Sequence, residues 1–440
     1  MIKRIFTLFI SIILVINLFT VSLVADEDTD AKEKFDISAE NGIIIDLETK
    51  NAIFEKDADS EIFCGFLPRL MTCILLVESG VDLKTEITVS SKTSSLVAQP
   101  GAVTLKSGDK VSLNDLLVAV LIGNSQEAAA AIGLYMTDDK ISNFISTMNE
   151  RAKELGAENT YFANCTGYYN TQSLSYTTVR DAAIIAMRAI SLDYIVDKSN
   201  TIRGVIKVND KDNALFTRNY LIDPNSRQYD KKASGIAFHG DTRIGSSVSS
   251  MTKGDTSGFL AIAVSSKAIT SSFDDVSSML NFALTEYSYQ TLIKANTPVL
   301  EIKVNYGKDR DHVALITETN VDAALTSNVS AEDIINAQVV QAPSEVNAPI
   351  EKGQVLGSIT LEYEGVIYGS VNLIAQTSVE MDAISEYTEK ITAFFANPIF
   401  WIVVAIIIIV TAFYVLLTFL LNRKKIKDKK VKKRDRVNFK

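Results

Sequence analysis

Of the 440 residues, 47% are hydrophobic and 22% are charged, enough apolar material for two or three folded domains and too much for a disordered chain. The net charge is −9, but the stretch from Arg423 to Lys440 holds 11 basic and 2 acidic residues, so the remainder carries −18, an acidic body that argues against DNA or RNA as a partner. Three cysteines (Cys64, Cys73, Cys165) make no disulfide framework and the two histidines (His239, His312) sit in no ligand spacing, so neither a metal nor any other cofactor is expected.

Met1 to Arg4 is a short basic start, and Ile5 to Val24 carries no charge. That pattern reads as a signal peptide over residues 1–25, or as an N-terminal anchor where it stays uncleaved. Residues 26–38 form an acidic, polar linker. Asn41 to Glu55 predicts a β-hairpin, two β-rich runs around a polar turn. Pro68 to Ser79 predicts a helix, since a proline in the first turn forfeits no hydrogen bond. Leu113 to Leu134 has helical periodicity interrupted at Gly123-Asn124, and Ile141 to Leu155 is amphipathic. Thr178 is the N-cap of a further helix, with Asp181 in its third position. Phe259 to Ser265 is a short apolar strand. From Pro298 to Thr377 the alternation of Val299–Tyr306 and Gly357–Tyr363 predicts a separate all-β domain, with Glu364-Gly365 as a hairpin turn. Val379 to Ala396 reads as a linking helix. Ile399 to Leu421 is 23 residues without a charge and runs into Arg423-Lys424-Lys425, which predicts a transmembrane helix and a cytoplasmic tail.

Several of these segments, in this order, resemble the serine-type D-alanyl-D-alanine carboxypeptidases, the low-molecular-weight penicillin-binding proteins. The residues that carry the resemblance are the hairpin Ile43–Phe54 and Leu67-Pro-Arg-Leu-Met-Thr72 with its helix. Leu105-Lys-Ser-Gly-Asp-Lys-Val-Ser112 and Asp115–Asn124 follow. Met148-Asn-Glu-Arg-Ala-Lys-Glu-Leu-Gly-Ala-Glu-Asn-Thr160 is the most specific run, and Tyr176–Asp181 and Ala348–Gly357 complete the set. The resemblance implies an α/β (α+β) fold: a β-lactamase/transpeptidase-like domain with an antiparallel sheet flanked by helices, then a small β-sandwich. The expected boundaries are 39–290 for the first, 298–378 for the second, 379–398 for the linking helix, 399–421 for the span and 422–440 for the tail.

The family's chemistry is acyl transfer by a Ser-x-x-Lys, in which the serine attacks and the lysine, one helical turn on, takes its proton. Here the serine position aligns with Phe66, which has no nucleophile. The lysine position aligns with Arg69, a guanidinium that stays protonated and cannot be a base. The family's Ser-x-Asn reads Ile122-Gly-Asn124, so the relay hydroxyl is gone while Asn124 remains able to bond an amide. The Lys-Thr-Gly position falls at Ala237, with Arg243 as a candidate displaced cation. Ser107-Gly-Asp-Lys110 and Ser250-Met-Thr-Lys253 match Ser-x-x-Lys, but both read as turns, which do not hold the i, i+3 geometry. Cys64, two residues before the nucleophile position, and His239 form the remaining nucleophile–base pair, although a small buried thiol is the ordinary fate of a lone cysteine.

With all three motifs broken in an otherwise kept scaffold, the chain reads as a catalytically silent member of this family in a bacterial cell membrane. Its ectodomain is expected outside the cytoplasm, bound to peptidoglycan stem peptides or a cell-wall protein. The alternatives are an active carboxypeptidase with a displaced nucleophile and a structural or signalling membrane protein.

Overall fold

The computed structural model describes residues 35–97, 103–252, 258–265 and 267–435. The expected signal peptide, most of the linker after it and the last five residues of the tail lie outside that range. The described residues form two compact units, 35–43 with 55–251 and 261–282, and 44–54 with 252–260 and 283–435.

The hairpin forms as expected, with β1 Asn41–Asp46 buried along its whole length and β2 Ala52–Lys56 following it. Then come α1 Leu67–Glu78, β3 Glu86–Thr88, β4 Lys110–Ser112, α2 Leu113–Leu121, α3 Gln126–Met136, α4 Ile141–Glu154, α5 Val179–Ile190 and α6 Asp193–Ser199. The chain continues through β5 Arg203–Val208, β6 Lys211–Phe216, β7 Ala233–Asp241, β8 Gly245–Thr252, β9 Phe259–Ser265 and α7 Ser271–Glu286. A five-stranded sheet has the order β2-β1-β9-β8-β7, and β5 with β6 makes a separate antiparallel hairpin.

Helix α1 is nearly all core. Leu67, Leu70, Met71, Ile74 and Leu76 are each at most 2% exposed, which is why no polar stripe marks it in the sequence. The break between α2 and α3 falls at Asn124, whose φ of +56° is a left-handed position that asparagine tolerates. Ser125 then caps α3, its hydroxyl accepting from the Ala128 amide at 3.2 Å. Thr178 caps α5 through the Asp181 amide at 3.0 Å, as the spacing predicts.

One expectation is corrected here. Ser250 does not lie in a turn: Ser250 to Thr252 end strand β8, and the Ser250 hydroxyl donates to the Ser234 carbonyl at 2.7 Å. The serine-rich composition of β8 hid a buried strand, in which Ser246 likewise donates to the Ala268 carbonyl at 3.0 Å while the Ser247 and Ser249 hydroxyls are buried without a partner among the described residues. Lys253, the other end of that Ser-x-x-Lys match, lies outside the described residues.

In the second unit, β10 Tyr287–Ile293 is followed by β11 Pro298–Asn305, β12 His312–Thr317, β13 Val321–Thr326, α8 Ala331–Asn336, β14 Gln338–Gln341, β15 Glu345–Asn347, β16 Val355–Tyr363 and β17 Val366–Ala375. A six-stranded sheet runs β14-β16-β17-β12-β11-β15, and β10 pairs with β13. The alternating residues Ile302, Val304, Val313, Leu315, Ile359, Leu361, Val371 and Leu373 fill its core. Tyr363 faces Val366 across the Glu364-Gly365 turn, both turn residues having positive φ. The short α8, which the alternation did not predict, drops Ile334 into this core. Helix α9 Ala383–Ala396 starts four residues later than expected, because Val379 exchanges two backbone hydrogen bonds with Ile350, each at 2.9 Å. Helix α10 Pro398–Asp435 contains a 24-residue segment, Pro398–Leu421, long and apolar enough to cross a membrane and with none of it buried.

Candidate active site

Phe66 is the N-cap residue of α1 and Arg69 lies within the first turn, so the two expected positions share one face of the helix. Both are buried. The Phe66 ring is 1% exposed, and Arg69 is 3% exposed, held by neutral acceptors alone. Its Nη1 donates to the Thr166 carbonyl at 2.6 Å, and its Nη2 reaches the Phe238 carbonyl at 3.5 Å and His239 Nδ1 at 3.3 Å. Among the described residues no carboxylate pairs with it. Burial pulls the guanidinium down to about 10, so it remains charged at neutral pH and offers no lone pair to a hydroxyl proton.

Because the guanidinium donates to His239 Nδ1, the neutral imidazole carries its hydrogen on Nε2, and that atom is buried with no partner among the described residues. Burial, and then the charge of Arg69, push His239 down to about 3. Two glycines make room for this packing. A Cβ on Gly65 would lie 2.3 Å from His239 Cδ2. A Cβ on Gly167, where φ is +69°, would lie 2.1 Å from the Gly65 carbonyl oxygen and 2.6 Å from Arg69 Nη1.

Phe66, Arg69, Asn124, Ala237 and Phe238 line one cavity of about 20 Å³, room for roughly one water. Ile122, at the position of the lost relay hydroxyl, is the C-cap residue of α2 and is 1% exposed; its side chain packs towards Gly204 of β5 and does not line this cavity. Cys64 is buried as well, and burial drives its thiol up to about 12. A thiol that high and an imidazole that low are poised against proton transfer, and no hydrogen bond joins Cys64 to His239 among the described residues. Arg243 is exposed and occupied by Asp241, Nη2 to Oδ2 at 2.6 Å.

The expected positions 66, 69, 124 and 237 do converge. The sequence reading missed the partners: Gly65, Gly167 and the Thr166 carbonyl. A signal existed in Asn164-Cys-Thr-Gly167, an asparagine–glycine turn whose Asn164 Oδ1 accepts from the Thr166 amide at 3.1 Å and the Tyr168 amide at 3.2 Å.

Residues 27–242 match the family described as D-alanyl-D-alanine carboxypeptidase, and residues 287–381 match the penicillin-binding protein 5 C-terminal domain. The chain belongs to the D-alanyl-D-alanine carboxypeptidase family. Among curated relatives, the carboxypeptidase DacF of Bacillus subtilis is 25% identical over 381 residues, 85% of this chain and 94% of that protein. DacC of Escherichia coli is 24% identical over 364 residues, 78% of this chain and 85% of its own. Among solved structures, penicillin-binding protein 5 from Haemophilus influenzae superposes with a TM-score of 0.62 at 17% identity, covering 79% of this chain and 98% of that one. PBP3 from Streptococcus pneumoniae, described as a peptidoglycan synthesis regulatory factor, gives 0.68 at 17%, covering 79% and 100%. At these identities the structures establish the penicillin-binding-protein fold, with its C-terminal sheet domain.

Proposed function

We propose that this protein is a cell-envelope member of the carboxypeptidase family that no longer performs acyl transfer and instead holds a peptidoglycan peptide or a protein partner. One observation carries the reading. The two positions that should supply nucleophile and base hold a buried phenyl ring and a buried guanidinium, and the space left between them is about 20 Å³. That volume is well below a D-alanyl-D-alanine terminus, so the occupied cleft favours recognition through the surface over insertion of a peptide end.

The relatives DacF and DacC are D-alanyl-D-alanine carboxypeptidases, which supports peptidoglycan as the setting. The unburied segment Pro398–Leu421 supports anchorage to a membrane, and the basic run from Arg423 supports a cytoplasmic tail. The test is release of D-alanine from a pentapeptide by the purified full-length protein across pH 5 to 9. No release is expected. Release abolished by Cys64→Ala or Ser107→Ala would instead establish an active hydrolase with a displaced nucleophile.

A further inference from the structure

The Arg69 side chain presents a problem that its role in a closed cleft does not solve. A charge 97% removed from solvent is normally paired, yet the three bonds it makes go to two carbonyls and an imidazole nitrogen, which carry no negative charge. A guanidinium has five N–H groups, and Nε makes no bond among the described residues. The cavity it lines is bounded otherwise by Phe66, Leu70, Val120, Phe238 and their apolar neighbours, with no acidic side chain. The other polar group on that wall is the Asn124 carboxamide, half-buried and without a side-chain partner among the described residues. Its left-handed backbone fixes it at the break between α2 and α3.

We propose that this cavity is a binding site for a small monovalent anion of halide size, held between the Arg69 guanidinium and the Asn124 carboxamide. Charge and size each select the ligand. An anion supplies the counter-charge that no side chain provides, and the apolar walls suit an ion that sheds its water readily. About 20 Å³ admits one water-sized sphere and excludes phosphate, sulfate or a peptide carboxylate with its substituents. The two donors are of the kinds that bind anions, one of them charged. The site is independent of whether the protein acylates: a positive acylation assay would defeat the proposed function and leave the anion site standing.

The test uses the full-length protein in detergent micelles. Its thermal midpoint is measured against sodium chloride and sodium bromide, with sodium gluconate holding ionic strength constant. The midpoint should rise by about 2 °C for each tenfold of halide above its dissociation constant and stay flat with gluconate alone. In Arg69→Met the halide dependence should vanish, and in Asn124→Ala it should move to higher concentration. Crystals of the unaltered protein soaked in bromide should show bromide between these two side chains, a readout that needs no variant to fold. An undiminished halide response in Arg69→Met, or crystals with no bromide in this cavity, would overturn the proposal.

Discussion

The two ends of helix α1 solve the same problem in opposite ways. At its C-terminal end, Glu78 accepts from Arg151 Nε and Nη2, each at 2.9 Å, and from Arg188 Nε at 2.6 Å, so each charge has its opposite. The hydrogen bonds from Arg151 and Arg188 hold the Glu78 carboxyl below its usual range although burial opposes them. At the N-terminal end, Arg69 is buried against neutral acceptors, and His239 Nε2 has no partner among the described residues. The first end keeps the economy of a folded scaffold, where buried polar groups are matched. The second keeps the charged and polar remnants of a site and fills the rest with hydrocarbon. On the proposed reading, the cleft has become core.

That contrast can be broken most easily at Phe66. Side chains in working active sites are often neutral or stabilising to remove, because function and stability compete there. Here Phe66→Ala should cost about 4 kcal/mol, as for any buried ring, measured by thermal or denaturant unfolding. A neutral result would mean that the cleft is not packed as core. The scaffold side is tested at Asp181, whose Oδ2 accepts from the Asn159 amide at 2.7 Å and the Thr160 hydroxyl at 2.9 Å. Asp181→Ala removes a buried carboxylate that accepts both bonds, leaving Thr160 only its 2.8 Å contact with the Thr177 hydroxyl, and should cost about 3 kcal/mol.

The next effect is a pH dependence. His239 is held at about 3 in the folded chain against 6.5 ordinarily, so below pH 6.5 the unfolded state takes up a proton that the native state refuses. Stability is therefore level above pH 6.5 and falls as the pH drops towards 3, with about 2 kcal/mol lost by pH 5. Comparing unfolding of the unaltered protein and His239→Gln at pH 7 and pH 5 isolates this slope, which the variant should lack. The smallest effect belongs to Arg243, whose pair with Asp241 is exposed. Arg243→Ala should change stability by about 0.5 kcal/mol or less.

What was legible in the sequence was mostly local. The Thr178–Asp181 cap spans three residues, and the Glu364-Gly365 turn needs two adjacent positive-φ positions, so each is written within a few letters. The convergence of Phe66, Arg69, Asn124 and Ala237 was accessible only because the family pattern supplied their spatial relation. What the cleft became was not legible. Arg69 finds its partners 97 and 170 residues away, and the fit of His239 against Gly65 depends on a missing Cβ that no periodicity reports. The β5–β6 hairpin and the buried serine-rich β8 are illegible for a different reason: their sequences carry little apolar alternation, and polar side chains inside read as polar side chains outside.

Whether the cleft still supports acylation is read most directly by labelling the full-length protein with a fluorescent penicillin beside an active family member. No covalent label is expected on this chain at any penicillin concentration that saturates the control. A stable, stoichiometric adduct, located to any residue of the chain by peptide mapping, would contradict it.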